Sequence, residues 1–123
     1  MAAPNLIGAS TALGKSSGTV LTTTNTTTIL NNPASSGKCL KINTFNVANY
    51  GASTTTVTVS LYTQANAGGI QLHIVGNASV PAGSTFCVID RSGQYYLEEN
   101  TSVGAIAANA NVLTVTCSYE EIS

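Results

Sequence analysis

The chain has 123 residues, 43% of them hydrophobic and 7% charged, with a formal net charge of −1. That length fits one domain with a real hydrophobic core, while the charged fraction is far below the roughly 25% of ordinary soluble proteins. Lys15, Lys38, Lys41 and Arg91 are too few and too scattered to neutralise a run of phosphates, which disfavours nucleic-acid binding.

Taken in chain order, Met1-Ala2-Ala3-Pro4-Asn5-Leu6 has no Lys or Arg ahead of a hydrophobic run and reads as a poor signal peptide. No apolar run approaches the roughly 18 residues of a membrane span, so no membrane partner is expected. Residues 1–18, rich in Ala, Gly, Ser and Asn, read as a flexible or extended N-terminal arm whose one hydrophobic pair is Leu6 and Ile7. Such an arm often lies on a neighbouring subunit; a frayed terminus is the alternative. Residues 19–123 then form the domain.

Thr19 to Leu30 is one long strand or two short ones broken near Asn25. Asn31 to Gly37 is dense in turn formers and is a loop. Lys38 to Asn49 is a strand in which Leu40 and Ile42 share one parity and Phe45 and Val47 the other. The phase change at Asn43-Thr44 predicts a β-bulge or burial on both faces. Thr54 to Thr63 shows the clearest period-2 pattern: Val57, Val59 and Leu61 against Thr56, Thr58, Ser60 and Tyr62. A helix there would scatter the apolar side chains and crowd the β-branched ones, so this segment reads as a central strand. Ile70 to Val75 is a strand interrupted at Gly76-Asn77 and resumed at Ala78 to Val80. Thr85 to Asp90, nearly all apolar, suggests an interior strand, joined to Tyr95 to Glu99 by hairpin chemistry at Ser92-Gly93. Ser102 to Ala107 is short and small. In Val112 to Tyr119, Leu113, Val115, Cys117 and Tyr119 face one way, with Thr114, Thr116 and Ser118 opposite. The sum is about eight or nine short strands and no significant helix. The expected fold is all-β, an antiparallel β-sandwich with jelly-roll or Ig-like connectivity.

The residues that carry chemistry are sparse. His73 is the one histidine and Asp90 the one aspartate, with no nucleophile elbow to join them. Glu98-Glu99 and Glu120-Glu121 are adjacent pairs, which a strand sends to opposite faces, so neither pair flanks a glycosidic bond. Cys39, Cys87 and Cys117 are odd in number and sit in apolar segments, which fits buried free thiols; one disulfide plus a free thiol is the lesser reading. Nothing has zinc spacing. No catalytic set, cofactor site or metal site is therefore expected, and the chain reads as a non-enzyme. Polarity comes instead from 18 Thr, 13 Ser and 12 Asn, 43 of the 123 positions. Such a surface is wetted by hydroxyls and amides and carries little charge to oppose association. Chance N-x-S/T matches at Asn25, Asn77 and Asn100 follow from the same composition.

Several phrases occur together: Ser36-Gly37-Lys38-Cys39-Leu40-Lys41-Ile42-Asn43, Val57-Thr58-Val59-Ser60-Leu61-Tyr62, Val80-Pro81-Ala82-Gly83-Ser84-Thr85, and Cys117-Ser118-Tyr119-Glu120-Glu121-Ile122-Ser123. In this order they resemble a family of small virion structural proteins of tailed bacteriophages, of the cyanophage and marine-phage type. The resemblance runs from about Gly37 to the end. It implies a β-sandwich made in the bacterial host cytoplasm and bound to the virion exterior. The role it favours is capsid decoration or cement, with homo-oligomers (commonly trimers) seated on the major capsid protein or another virion protein. A neck, tail or fibre component of the same particle is the alternative. A carbohydrate-binding module using Tyr50, Tyr62 or Tyr96 is a further one. The candidate interface residues are Leu6, Ile7, Tyr50, His73 and Tyr96, amphipathic or apolar groups in the arm, in loops or on strand faces.

Overall fold

The computed structural model describes residues 7–90 and 92–123. Its elements are β1 (Ala12–Val20), β2 (Thr27–Asn32), β3 (Cys39–Asn49), β4 (Thr55–Gln64), β5 (Gly68–Val80), β6 (Thr85–Ile89), β7 (Tyr95–Leu97), β8 (Thr101–Ala107) and β9 (Leu113–Ile122), with no helix among the described residues. One sheet has the order β1-β9-β3-β6, with β7 also on β3; the other has the order β2-β8-β4-β5. All the pairings are antiparallel.

With β7 set aside, the pairs β1–β9, β2–β8, β3–β6 and β4–β5 are nested, first strand with last and second with next to last. That is a long hairpin rolled so that its arms fall alternately into two sheets, the jelly-roll solution of the two expected connectivities. The rolling follows from patterning: the interior strands β3, β4, β8 and β9 each turn apolar side chains to one side, and only a second sheet can cover them.

β4 is interior as expected, flanked by β8 and β5. Val57 and Val59 are fully buried and pair in register with Ala107 and Ala105 on the core side. Phe45, Val47, Leu113 and Val115 meet them from the other sheet. Burying each such side chain contributes roughly 1.5–3 kcal/mol. The parity change in β3 is a true bulge, with the register shifting between Ile42 and Thr44. This is how Leu40, Ile42, Phe45 and Val47 are all buried in one core.

Four expectations need correction. Thr85 to Asp90 is not interior: β6 is an edge strand, with Thr85 and Cys87 exposed and Phe86 turned toward the core. Nor do β6 and β7 form a hairpin; they lie end to end along the same edge of β3, at Phe45–Ala48 and Leu40–Ile42 respectively. Gly76-Asn77 does not break β5 but forms a bulge, where Asn77 has φ 47° and its backbone N–H donates to Thr58 Oγ1 at 3.0 Å. Finally, residues 12–18, within the stretch read as an arm, are laid on β9 as the edge strand β1. Its small polar residues gave no period to read, because its pattern is almost wholly exposed.

Two buried asparagines close the ends of the sandwich. Asn49, the last residue of β3, donates to Ser53 O (2.9 Å) and Val80 O (2.8 Å) and accepts from Gly51 N (2.9 Å). Asn32, the last residue of β2, donates to Lys38 O and Leu97 O, both at 2.9 Å, and accepts from Ser36 Oγ. Each ties a loop to a crossing strand at the level where the sheets would otherwise part.

Candidate interaction surfaces

β9 alternates strictly, so Glu121 shares the inward parity of Leu113, Val115, Cys117 and Tyr119. Its carboxylate opens onto the mouth between β1 and β2, where Lys15 and Lys38 both form ion pairs with it. A buried carboxylate needs such partners. The two ammonium groups hold Glu121 below the ordinary carboxylate range, and Glu121 in turn raises Lys15. The mouth is a cleft of about 510 Å³ with Ile29, Leu30, Leu40 and Tyr119 among its apolar walls. Lys15 also protects an open strand edge: an inward-pointing charge on an edge strand discourages pairing with another chain.

The outer face of the same sheet is different in character. The register places Gly14, Glu120, Lys41 and Tyr96 in one row across it. Ser16, Ser118 and Thr44 form the next, then Gly18, Thr116, Asn46 and Cys87. Val20, Thr114, Ala48 and Thr85 form the last. Gln94 Nε2 donates to Asn43 Oδ1 at 3.0 Å, and Asn43 Nδ2 to Glu120 Oε1 at 3.4 Å, beside a shallow depression of about 410 Å³. Glu120 and Glu121 thus point to opposite faces, as strand alternation requires.

The expected interface residues are exposed but dispersed. Ile7 is 97% exposed, just before the segment where Ser10 and Thr11 N–H donate to Ser123 O. Tyr50 is 56% exposed at the opposite end of β3. His73 is exposed on β5, in the second sheet, and Tyr96 is half exposed on the outer face of the first. Leu6 lies outside the described residues. The structure therefore does not gather these residues into one patch.

Tyr62 is buried, its ring lying over Gly104 on the outer side of β8, so it offers no stacking surface. Its neighbours Thr58 and Ser60 are buried too, with hydroxyls hydrogen-bonded to Asn77 and Gln71 of β5. Gln71 Nε2 donates to Ser60 Oγ at 2.9 Å, and Ala67 N–H to Ser102 Oγ at 2.8 Å. Sequence reasoning missed two apolar groups, Ile70 (66% exposed) and Leu72 (48%), at the outer edge formed by β5. It also missed the Lys15–Glu121–Lys38 cluster, although continuing the β9 alternation by one step would have turned Glu121 inward.

The cysteines carry no disulfide; Cys39 and Cys117 are buried as expected, whereas Cys87, expected to be buried, is exposed because it points from β6 to the outer face beside Asn46. Burial pushes Cys39 up and Cys117 up to about 11. Among the described residues no group of three His, Cys, Asp or Glu side chains is placed to hold a metal ion, and no helix is long and apolar enough to cross a membrane.

The arrangement defines a jelly-roll β-sandwich, the two-sheet class found in viral capsid and lectin domains among others. No protein-family model matches the chain, and no curated protein matches it in sequence. Among solved structures it is similar to a chain of the acidic stable capsid structure of Helicobacter pylori bacteriophage KHP30, at 10% identity and a TM-score of 0.52. The match covers 94% of this chain and 90% of that one, so it relates whole chains of nearly equal length. At that identity the likeness is one of fold.

Proposed function

We propose that this chain is a non-enzymatic structural protein of a bacteriophage virion, and that it decorates the assembled head as a cement protein on its exterior. The observation that carries the reading is the whole-chain likeness to a chain of a phage capsid structure. The surface supports it: few charges, many hydroxyls and amides, and exposed apolar groups on both sheets that suit burial against neighbours. A protein that binds only the assembled shell stabilises the shell by mass action. Its partners are the major shell protein and further copies of itself, with Tyr50, His73 and Tyr96 exposed for contact.

The test is the copy number of this protein in purified virions relative to the major shell protein. A comparable number supports decoration of the head. A few copies per particle would move the protein to the neck, tail or fibres. Absence from the particle would overturn the reading and leave a carbohydrate-binding module to be tested on a glycan array.

A further inference from the structure

We infer that the outer face of the β1–β9–β3–β6 sheet is a self-association surface. Two copies pack this face together about a two-fold axis running along the strands between β9 and β3, with Lys41 of each copy against Glu120 of the partner subunit. The inference concerns the isolated protein and does not depend on a virion.

Rotation about that axis carries each β9 residue over the β3 residue of its own row. Glu120 then faces Lys41, Ser118 faces Thr44, Thr116 faces Asn46 and Thr114 faces Ala48. Every such contact is chemically matched: opposite charges, hydroxyl with hydroxyl, hydroxyl with amide, methyl with methyl. Lys41 and Glu120 are cross-strand neighbours, yet among the described residues the ion pairs form at Glu121 and not between these two. Glu120 instead accepts the long hydrogen bond from Asn43 at 3.4 Å. Both side chains are half-buried and opposite in sign, so an isologous contact supplies each with its complement twice over.

Steric access follows from β1, which contributes Gly14, Ser16 and Gly18 to this face. No long side chain there holds a second sheet beyond the ~10 Å of face-to-face packing. A net charge of −1 adds little repulsion between copies. Four strands at ~4.8 Å spacing and about seven residues at ~3.3 Å give a patch of roughly 440 Å² per copy. Two such patches total roughly 880 Å², below the ~1,000 Å² that a stable specific interface clears, which sets the association in the weak, transient range.

The experiment is sedimentation equilibrium of the full chain from about 10 to about 500 µM, the range a contact of this size requires. The wild type is expected to reach dimer mass within it. Lys41→Glu and Glu120→Lys, each confirmed folded by circular dichroism, should each weaken association at least tenfold by setting like charges face to face. An equimolar mixture of the two variants should recover the dimer, because both contacts then join opposite charges again. In a mixture of Lys41→Glu with Glu98→Lys, which has the same net charges, Glu98→Lys should dimerise with itself while the Lys41→Glu chains, followed by a fluorescent label, stay monomeric. The inference is overturned by a wild type that stays monomeric, by an oligomer of any order whose mass the variants leave unchanged, or by Lys41→Glu chains that enter dimers with Glu98→Lys as readily as with Glu120→Lys.

Discussion

Replacing Asn49 tests whether the end of the sandwich depends on one amide. Asn49 is 2% exposed, and its side chain makes three hydrogen bonds, with Ser53 O, Val80 O and Gly51 N. Its backbone bonds with Ser84 O and Gly83 N do not involve the side chain and survive substitution. Asn49→Ala removes the three bonds at about 1 kcal/mol each, for a loss of about 3 kcal/mol. For a chain of this size that is roughly a 10 °C fall in Tm. Asn49→Asp sharpens the test. The carboxylate still accepts from Gly51 but meets the carbonyls of Ser53 and Val80, which favours its protonated form and raises its folded pKa. A raised folded pKa gives stability that is present below the unfolded value of about 3.9 and is lost as pH rises through the folded one. The gap between wild type and Asn49→Asp should therefore widen from pH 3 to pH 7 in urea unfolding followed by circular dichroism. If Asn49→Ala unfolds within about 0.5 kcal/mol of wild type, or the Asp variant shows no such trend, the tie is not what closes the sandwich.

Glu121 predicts the opposite pH dependence. Lys15 and Lys38 depress its pKa, so its contribution is complete above the unfolded value of about 4.3 and is lost as pH falls through the folded one. Glu121→Gln should flatten the acid limb of a Tm-versus-pH curve; an unchanged limb would show that the ion pairs carry no weight. Thiol labelling with an aromatic disulfide at pH 8 should modify Cys87 alone in the folded protein, with Cys39 and Cys117 reacting at the rate of unfolding. Rapid labelling of two or three thiols would contradict their burial. A Cβ at Gly104 would lie 3.1 Å from both Thr27 O and Tyr62 Cε2, so Gly104→Val should cost about 1–3 kcal/mol by displacing the ring. Urea unfolding within about 0.5 kcal/mol of wild type would show that Tyr62 does not seal that face.

Much of the fold could be read because the period of 2 is written plainly where one face is buried. β9 and the core half of β4 follow their alternation residue by residue, and the β3 bulge announced itself as a change of parity. Elsewhere the signal failed for physical reasons. β1 buries almost nothing, so it has no apolar period and is held by backbone hydrogen bonds to β9. β6 looked interior because its side chains are apolar, but composition does not record how many neighbours a strand has. Tyr62 read as an exposed ring, but it is buried together with Thr58 and Ser60 on the side away from the core, where pattern rules place no cover. The candidate contact residues were legible as exposed groups and no further, since which exposed groups share a face is a property of the roll. The rows across the outer sheet needed the register of β1, β9 and β3 together.

The position of β9 has a consequence for how the chain is made. It lies between β1 and β3, so neither of those strands has its interior neighbour until the segment from Leu113 to Ile122 exists. On a ribosome adding roughly 5–20 residues per second, β3 waits about 4–15 s after its own synthesis for that partner. The β4–β5 hairpin needs no such delay, and its sheet has a local start. Until that segment exists, the apolar side chains of β3 lack one of their two neighbouring strands. Folding closes only when the last strand slides into the middle of the first sheet.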